Sequence, residues 1–250
     1  YYVQVGNKWA ILFTEKCCIN NCINVYNPTG NCIEGNGFIN LIDGIRIIYF
    51  YCAVRLNLAV QNQLSTVYAE NHFEKPQNCA NYSLFYFEIK TKIGENNFGK
   101  WMVIGLKNHH GSYIRWELQN KFICYDIDGG TRNFKLPTFS WNDEDVFGCG
   151  LVYQPSKAPK KYPYVFFTQN GKQIGKAVLL TNDHKKRDCY RPHITLRCCD
   201  VETNFGDDLN ANPFIYDITK HFVLKLFYVN SDIYNPARDD SNLDNLTGII

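Results

Sequence analysis

Along most of the chain, apolar residues recur in short runs or strict alternation, without the three-to-four-residue spacing of an amphipathic helix. Gly, Asn, Asp and Pro separate the runs. The pattern extends from about Ile39 to Tyr228 and predicts strands throughout. Residues 84–93 show it best. Phe85, Phe87, Ile89, Thr91 and Ile93 fall on one face, and Tyr86, Glu88, Lys90 and Lys92 on the other, so one face reads as core and the other as wet. The same reading gives strands over residues 101–106, 114–118, 121–125, 145–153, 164–168, 173–179, 193–199 and 201–204. Strands so short and numerous predict an all-β fold, a two-sheet antiparallel β-sandwich.

Local signals set some connections. Asn170-Gly171 stands between two strand runs and is the pair that most readily takes the two positive φ angles of a type I′ turn. Gln119-Asn120 reads as a second hairpin, and the Pro- and Lys-rich residues 155–163 as a projecting loop. Residues 1–37 are rich in Asn and Cys with weak periodicity, and residues 229–250 are polar and Asp/Asn-rich. The expected organisation is therefore an irregular N-terminal segment (1–37), one sandwich (38–228) and a C-terminal tail (229–250).

Composition narrows the function classes. With 250 residues, 45% of them hydrophobic, the chain can bury one sizeable core. Lys and Arg number 26 against 24 Asp and Glu, a net charge of +2, which removes any global electrostatic case for a nucleic-acid or polybasic membrane partner. The most apolar window, residues 45–60, is interrupted by Arg46 and Arg55 and is too short to span a bilayer. The chain reads as soluble, and its first residue is Tyr, as in a fragment or processed product.

The 11 cysteines are the compositional oddity. Cys17, Cys18, Cys22 and Cys32 are the densest group, but a structural zinc site wants two closely spaced pairs, and only Cys18-x3-Cys22 qualifies. No metal and no cofactor is assigned. A thiol- or metal-dependent role for this N-terminal cluster remains the alternative function. Cys124, Cys149 and Cys198 fall in strand runs, where a thiol is a small hydrophobe. Sequence places none of His109, His110, His184 and His193 beside a particular thiol.

Other motifs carry little chemistry. Gly35-Asn36-Gly37 and Gly148-Cys149-Gly150 lack the third glycine and the helix of a phosphate loop. Asp126 to Gly130 lacks the later ligands of a calcium loop and reads as a hairpin turn. Asp143, Glu144 and Asp145 read as a polar turn, because adjacent strand residues point to alternate faces. No acid, base and nucleophile assemble, so no enzyme activity is expected. Two basic clusters, Lys157/Lys160/Lys161 and His184 to Arg187, read as solvated loop charge or as the rim of a partner site.

Several stretches taken together resemble the SPRY domain family, in particular its Ran-binding-protein-M-like branch and the secreted SPRY effectors of plant-parasitic nematodes. In order, they are Tyr86-Phe87-Glu88-Ile89-Lys90, Ile104-Gly105-Leu106, Asp145-Val146-Phe147-Gly148-Cys149-Gly150, Phe167-Thr168-Gln169-Asn170-Gly171-Lys172, Val201-Glu202-Thr203-Asn204-Phe205-Gly206 and Pro213-Phe214-Ile215-Tyr216-Asp217-Ile218. The likeness is clearest over residues 67–218, and residues 40–47 resemble the family's early strand. It implies a sandwich without a catalytic centre that binds a segment of a partner protein through loops at one end, as an adaptor or effector. Gly148 and Gly150 would allow close packing, and Phe205 and Phe214 would fill core. The implied binding residues are His109, His110 and Tyr113 in the loop after the IGL strand, and Arg197, Cys198, Cys199 and Asp200 in the turn before VETNFG. The compartment implied is the cytoplasm or, for a secreted effector, a host cytosol.

Overall fold

The computed structural model describes residues 1–12, 18–20, 22, 32, 37–50, 62–94, 99–127, 130–136, 138–155, 162–180 and 189–223. In chain order the strands are β1 (Trp9–Leu12), β2 (Phe38–Ile42), β3 (Arg46–Phe50), β4 (Ser65–Ala69), β5 (Phe73–Glu74), β6 (Ser83–Lys92), β7 (Trp101–Asn108) and β8 (Tyr113–Glu117). They continue with β9 (Phe122–Ile127), β10 (Gly130–Lys135), β11 (Val146–Tyr153), β12 (Tyr164–Gln169), β13 (Lys172–Leu179), β14 (Cys189–Arg197) and β15 (Asp200–Asn204). They form two antiparallel sheets. The first runs β1-β4-β14-β7-β8-β9-β10, with β5 also on β14, and the second β13-β12-β11-β6-β15-β3-β2. This is the two-sheet antiparallel sandwich that the alternation predicts. No described helix is long and apolar enough to cross a membrane.

Residues Tyr1–Thr219 make one compact unit; Lys220–Ile250 make a second, described only at residues 220–223. The inward faces meet in a continuous core in which Trp116 packs edge-on against Phe139, Phe147 and Phe167. The Asn170-Gly171 turn has φ of 49° and 77°, as a type I′ hairpin demands. Asp145 secures it, accepting from Asn170 Nδ2 at 2.8 Å and Gln169 Nε2 at 3.0 Å. The three neighbouring carboxylates go separate ways: Asp143 accepts the Ile93 N–H, Glu144 pairs with Lys90, and Asp145 holds the hairpin.

Three sequence expectations need correction. Residues 1–12 are not irregular. Tyr1 and Val3 exchange backbone hydrogen bonds with Leu84, β1 joins β4, and the buried Trp9 indole donates to Thr203 Oγ1 at 2.7 Å. Residues 40–47 form a hairpin, turning at Asp43 and Gly44 with positive φ, where one strand was expected. The second face of β6 is wet only at Lys90 and Lys92: Tyr86 and Glu88 are buried, because residues 213–216 lie across them. Phe214 accordingly sits on this outer face, edge-on to Tyr86, and is half-buried there instead of filling the inter-sheet core. The tail 229–250 lies outside the described residues.

That covered face depends on a missing side chain. A Cβ at Gly148 would sit 2.0 Å from the Tyr86 hydroxyl and 2.4 Å from Thr168 Oγ1, and one at Gly150 would sit 2.2 Å from the Phe166 ring. Into the gap at Gly148 the Tyr86 hydroxyl donates to Glu88 Oε1 at 2.9 Å, with Thr168 Oγ1 at 2.6 Å. Glu88 also accepts the backbone N–H of Ile215 and Tyr216, each at 2.8 Å. Burial raises the carboxyl pKa, and these donors pull it back. Replacing Glu88 by Ala takes the acceptor from two N–H groups and leaves the Tyr86 hydroxyl with Thr168 Oγ1 alone, so we expect a loss of roughly 2–4 kcal/mol in urea unfolding. Glu88→Gln should fall between, since its amide NH2 must face one of the N–H donors. An Ala variant with an unchanged unfolding midpoint would refute this role.

Candidate functional site

The two loops singled out by the resemblance lie at opposite ends of one strand pair. In the β7/β14 register Asn108 faces Tyr190 and Trp101 faces Arg197. Seven residues of strand at about 3.3 Å each put the ends about 23 Å apart. His109, His110 and Tyr113 therefore cannot share a pocket with Arg197, Cys198, Cys199 and Asp200.

The turn at 197–200 is a joint between the sheets. Cys198, at φ 55°, and Cys199 are both buried in the core. Burial raises both thiols, Cys199 to about 12, and Cys199 Sγ reaches the Trp101 carbonyl at 3.5 Å. Arg197 Nε donates to the Gly99 carbonyl at 2.8 Å, and Asp200 accepts the Tyr49 N–H at 2.7 Å. These contacts cross from strand to strand and leave neither thiol to a partner.

At the other end, Asn108 shapes a tight loop. Its Oδ1 accepts the N–H groups of His110 (3.0 Å) and Ser112 (2.9 Å), and Gly111 takes φ 94°. The loop thus presents His109 and His110 with rings 3.7 Å apart. Tyr113 turns onto the outer face of the first sheet, beneath the Arg115 guanidinium at 4.1 Å from its ring centroid. On that face the His193 ring is buried 5.9 Å from Tyr68, and its Nδ1 has no hydrogen-bond partner among the described residues.

Beside His109 opens a cleft of about 1120 Å³. Val3, Val5 and Phe85 give it an apolar floor; His72, Glu74, Lys75, Gln77, Asn78, His109 and Cys189 give it polar walls. The pairing of β5 with β14, Cys189 opposite Glu74, brings the wall together. Arg191 Nε donates to His72 Nε2 at 3.0 Å. Burial and then this guanidinium lower the His72 pKa, so the ring stays neutral and accepting. Cys189 Sγ lies 3.9 Å from His109 Nδ1, a thiol against an imidazole at the long limit of a sulfur hydrogen bond. Of the residues named from sequence, the cleft keeps His109 alone. Its floor was missed because residues 1–37 lack periodicity, and its wall because residues 71–78 carry only turn signals. The basic clusters at 157–161 and 184–187 lie outside the described residues.

A second group forms elsewhere. Cys18, Cys22 and Cys32 bring three sulfur atoms within 4.8 Å of one another, and Phe38 packs against them apart from the main core. Burial would raise the Cys18 thiol, but hydrogen bonding from Cys22, Asn20 and Cys32 brings it down to about 7. This trio could hold a metal; sequence spacing had offered only the Cys18/Cys22 pair.

Two measurements check these placements. In native protein, iodoacetamide should leave Cys149, Cys198 and Cys199 unmodified and label them only after unfolding, as read by peptide mass spectrometry. Labelling of native Cys198 or Cys199 would overturn the joint. His193 is held at about 3, first by burial and then by Arg115 and Lys107. Because the folded value lies below the ordinary 6.5, its contribution is complete above pH 6.5 and is lost as pH falls towards 3. The loss approaches 1.4 kcal/mol per pH unit, about 2 kcal/mol by pH 5. His72 and His221 shift in the same direction, whereas Glu88 and Asp200, raised by burial, act in the opposite sense. The difference between parent and His193→Asn isolates this one group: the variant's urea midpoint should fall less steeply from pH 7 to pH 5, and parallel curves would refute the assignment.

No family model matches the sequence, and no curated protein matches it. Among solved structures the chain is similar to a human SPRY domain, at 16% identity over 68% of this chain and 97% of that one, with a TM-score of 0.41. It is similar to the SPRY domain of human HERC1 at 11% identity over 72% and 99%, with a TM-score of 0.42. A seed lectin of Lotus tetragonolobus is similar at 8% identity over 73% and 97%, with a TM-score of 0.36. At such values the likenesses leave function to the geometry of the site.

Proposed function

We propose that this chain is a non-enzymatic protein-interaction module of SPRY type that binds an extended segment of a partner protein. The observation that carries the reading is the cleft beside His109, which combines an apolar floor with a rim of amide, imidazole and charged groups. A volume of about 1120 Å³ exceeds the usual 300–1,000 Å³ of small-molecule pockets and suits several residues of peptide. The floor favours one or two apolar anchors, and the rim supplies hydrogen bonds along a backbone. The ordered motif segments from Tyr86 to Ile218 support the same reading, and we extend it to membership of the Ran-binding-protein-M-like branch, near the nematode SPRY effectors. Cysteines used as core filler fit a reducing setting, the cytoplasm or a host cytosol entered by a secreted effector.

The test is a mapped interaction. A partner segment recovered with the full chain under reducing conditions should bind in fluorescence anisotropy. His109→Ala combined with Lys75→Ala should weaken it at least about tenfold, about 1.4 kcal/mol. Arg197→Ala and Tyr113→Ala should leave affinity within about twofold, since neither side chain lines the cleft. Loss of binding in Arg197→Ala with the cleft variant unaffected would sink the assignment. So would a glycan ligand sensitive to the cleft variant in the absence of any protein segment.

A further inference from the structure

Cys18, Cys22 and Cys32 form a convergent group of metal-ligating side chains among the described residues. Cys18 and Cys32 are buried, Cys22 is half-buried, and the Sγ atoms of Cys18 and Cys22 are 3.2 Å apart. Four thiolates or three thiolates and a water around zinc, with Zn–S bonds near 2.3 Å, place neighbouring sulfurs about 3.8 Å apart. Small side-chain rotations take this trio to that spacing. The backbone N–H of Asn20 donates to Cys18 Sγ at 3.3 Å, the outer hydrogen bond that orients a thiolate ligand.

The surroundings separate this trio from the other cysteines. Cys149, Cys198 and Cys199 sit in the main core among aromatic and aliphatic side chains, where a thiol is filler. Among the described residues the trio forms its own small cluster with Phe38, so sulfur faces sulfur. All-sulfur donors select a thiophilic d10 ion.

We propose that Cys18, Cys22 and Cys32 bind one zinc ion as thiolates, with a fourth position for water or another donor, and so fasten these residues to the start of β2 at Phe38. Each thiol gives its proton to solvent as its Zn–S bond forms, and no oxidation occurs. The site is independent of the cleft, and its test does not depend on the partner.

The full chain, purified with reductant and without chelator and then given equimolar zinc and desalted, should retain about one zinc per chain by elemental analysis. Cobalt in its place should give a thiolate-to-cobalt charge-transfer band with intense tetrahedral d–d absorption. Cys18→Ser, Cys22→Ser and Cys32→Ser should each weaken zinc more than about 100-fold in chelator competition, since losing an outer partner alone costs about 10–100-fold. Cys79→Ser, whose thiol contacts Tyr1 and Ser83 and is not one of the three converging sulfurs, should bind as the parent does. Near-UV circular dichroism identifies any variant that has unfolded, and for such a variant the parent's cobalt spectrum decides. Zinc retention near zero in the parent, equal retention in Cys22→Ser, or a metal-free Cys18–Cys22 disulfide under these conditions would each overturn the proposal.

Discussion

A gap in the middle of the second sheet governs what can lie on its outer face. Gly148 stands between Glu88 and Thr168 in register, and any side chain there would collide with the Tyr86 hydroxyl. Because the space is open, Tyr86 lies buried and hydrogen-bonded to both neighbours, and Glu88 can turn both carboxylate oxygens towards residues 215 and 216. A buried carboxylate is tolerated only when its lone pairs are met, and here two backbone N–H groups and a phenol meet them. The second sheet thereby gains a cover outside the inter-sheet core. The N-terminal residues add to it: Tyr2 packs edge-on against Phe214 and donates to the Phe205 carbonyl.

The two ends of the sandwich are unequal. At one end the short turn from β14 to β15 drives Cys198 and Cys199 inward and ties Arg197 and Asp200 to neighbouring backbone. At the other end β5, the 108–112 loop and the first residues of the chain stand around an apolar floor, and the cleft remains between them. A rigid scaffold with recognition confined to loops at one edge is a common division of labour in β-sandwiches.

The cysteines divide by neighbourhood. Those of the main core are hydrophobic filler with raised pKa values. Cys189 sits at a cleft wall beside an imidazole. Cys18, Cys22 and Cys32 face one another, and at Cys18 hydrogen bonding from its neighbours outweighs burial. One residue type thus meets several physical environments, and spacing along the chain separated them only in part.

Alternation with period two, the Asn170-Gly171 turn and the polar break at 143–145 were enough to settle the fold class, since each is a local consequence of strand geometry and turn chemistry. The strands over residues 83–92, 146–153 and 164–179 could be read for the same reason. β1 and β10 could not: Trp9 earns its place by reaching Thr203, and the residues of β10 stay largely exposed, so neither leaves an alternating trace. The candidate site was legible only at His109. The register of β7 on β14 alone puts the two expected loops at opposite ends, and the path of residues 213–216 alone covers Tyr86 and Glu88 on the far face of β6. Likewise, Cys32 joins Cys18 and Cys22 through contacts that no spacing rule anticipates. Local pattern is fixed by bonds between near neighbours in the chain; long-range pairing depends on which distant surfaces exclude water together, and this only the tertiary structure decides.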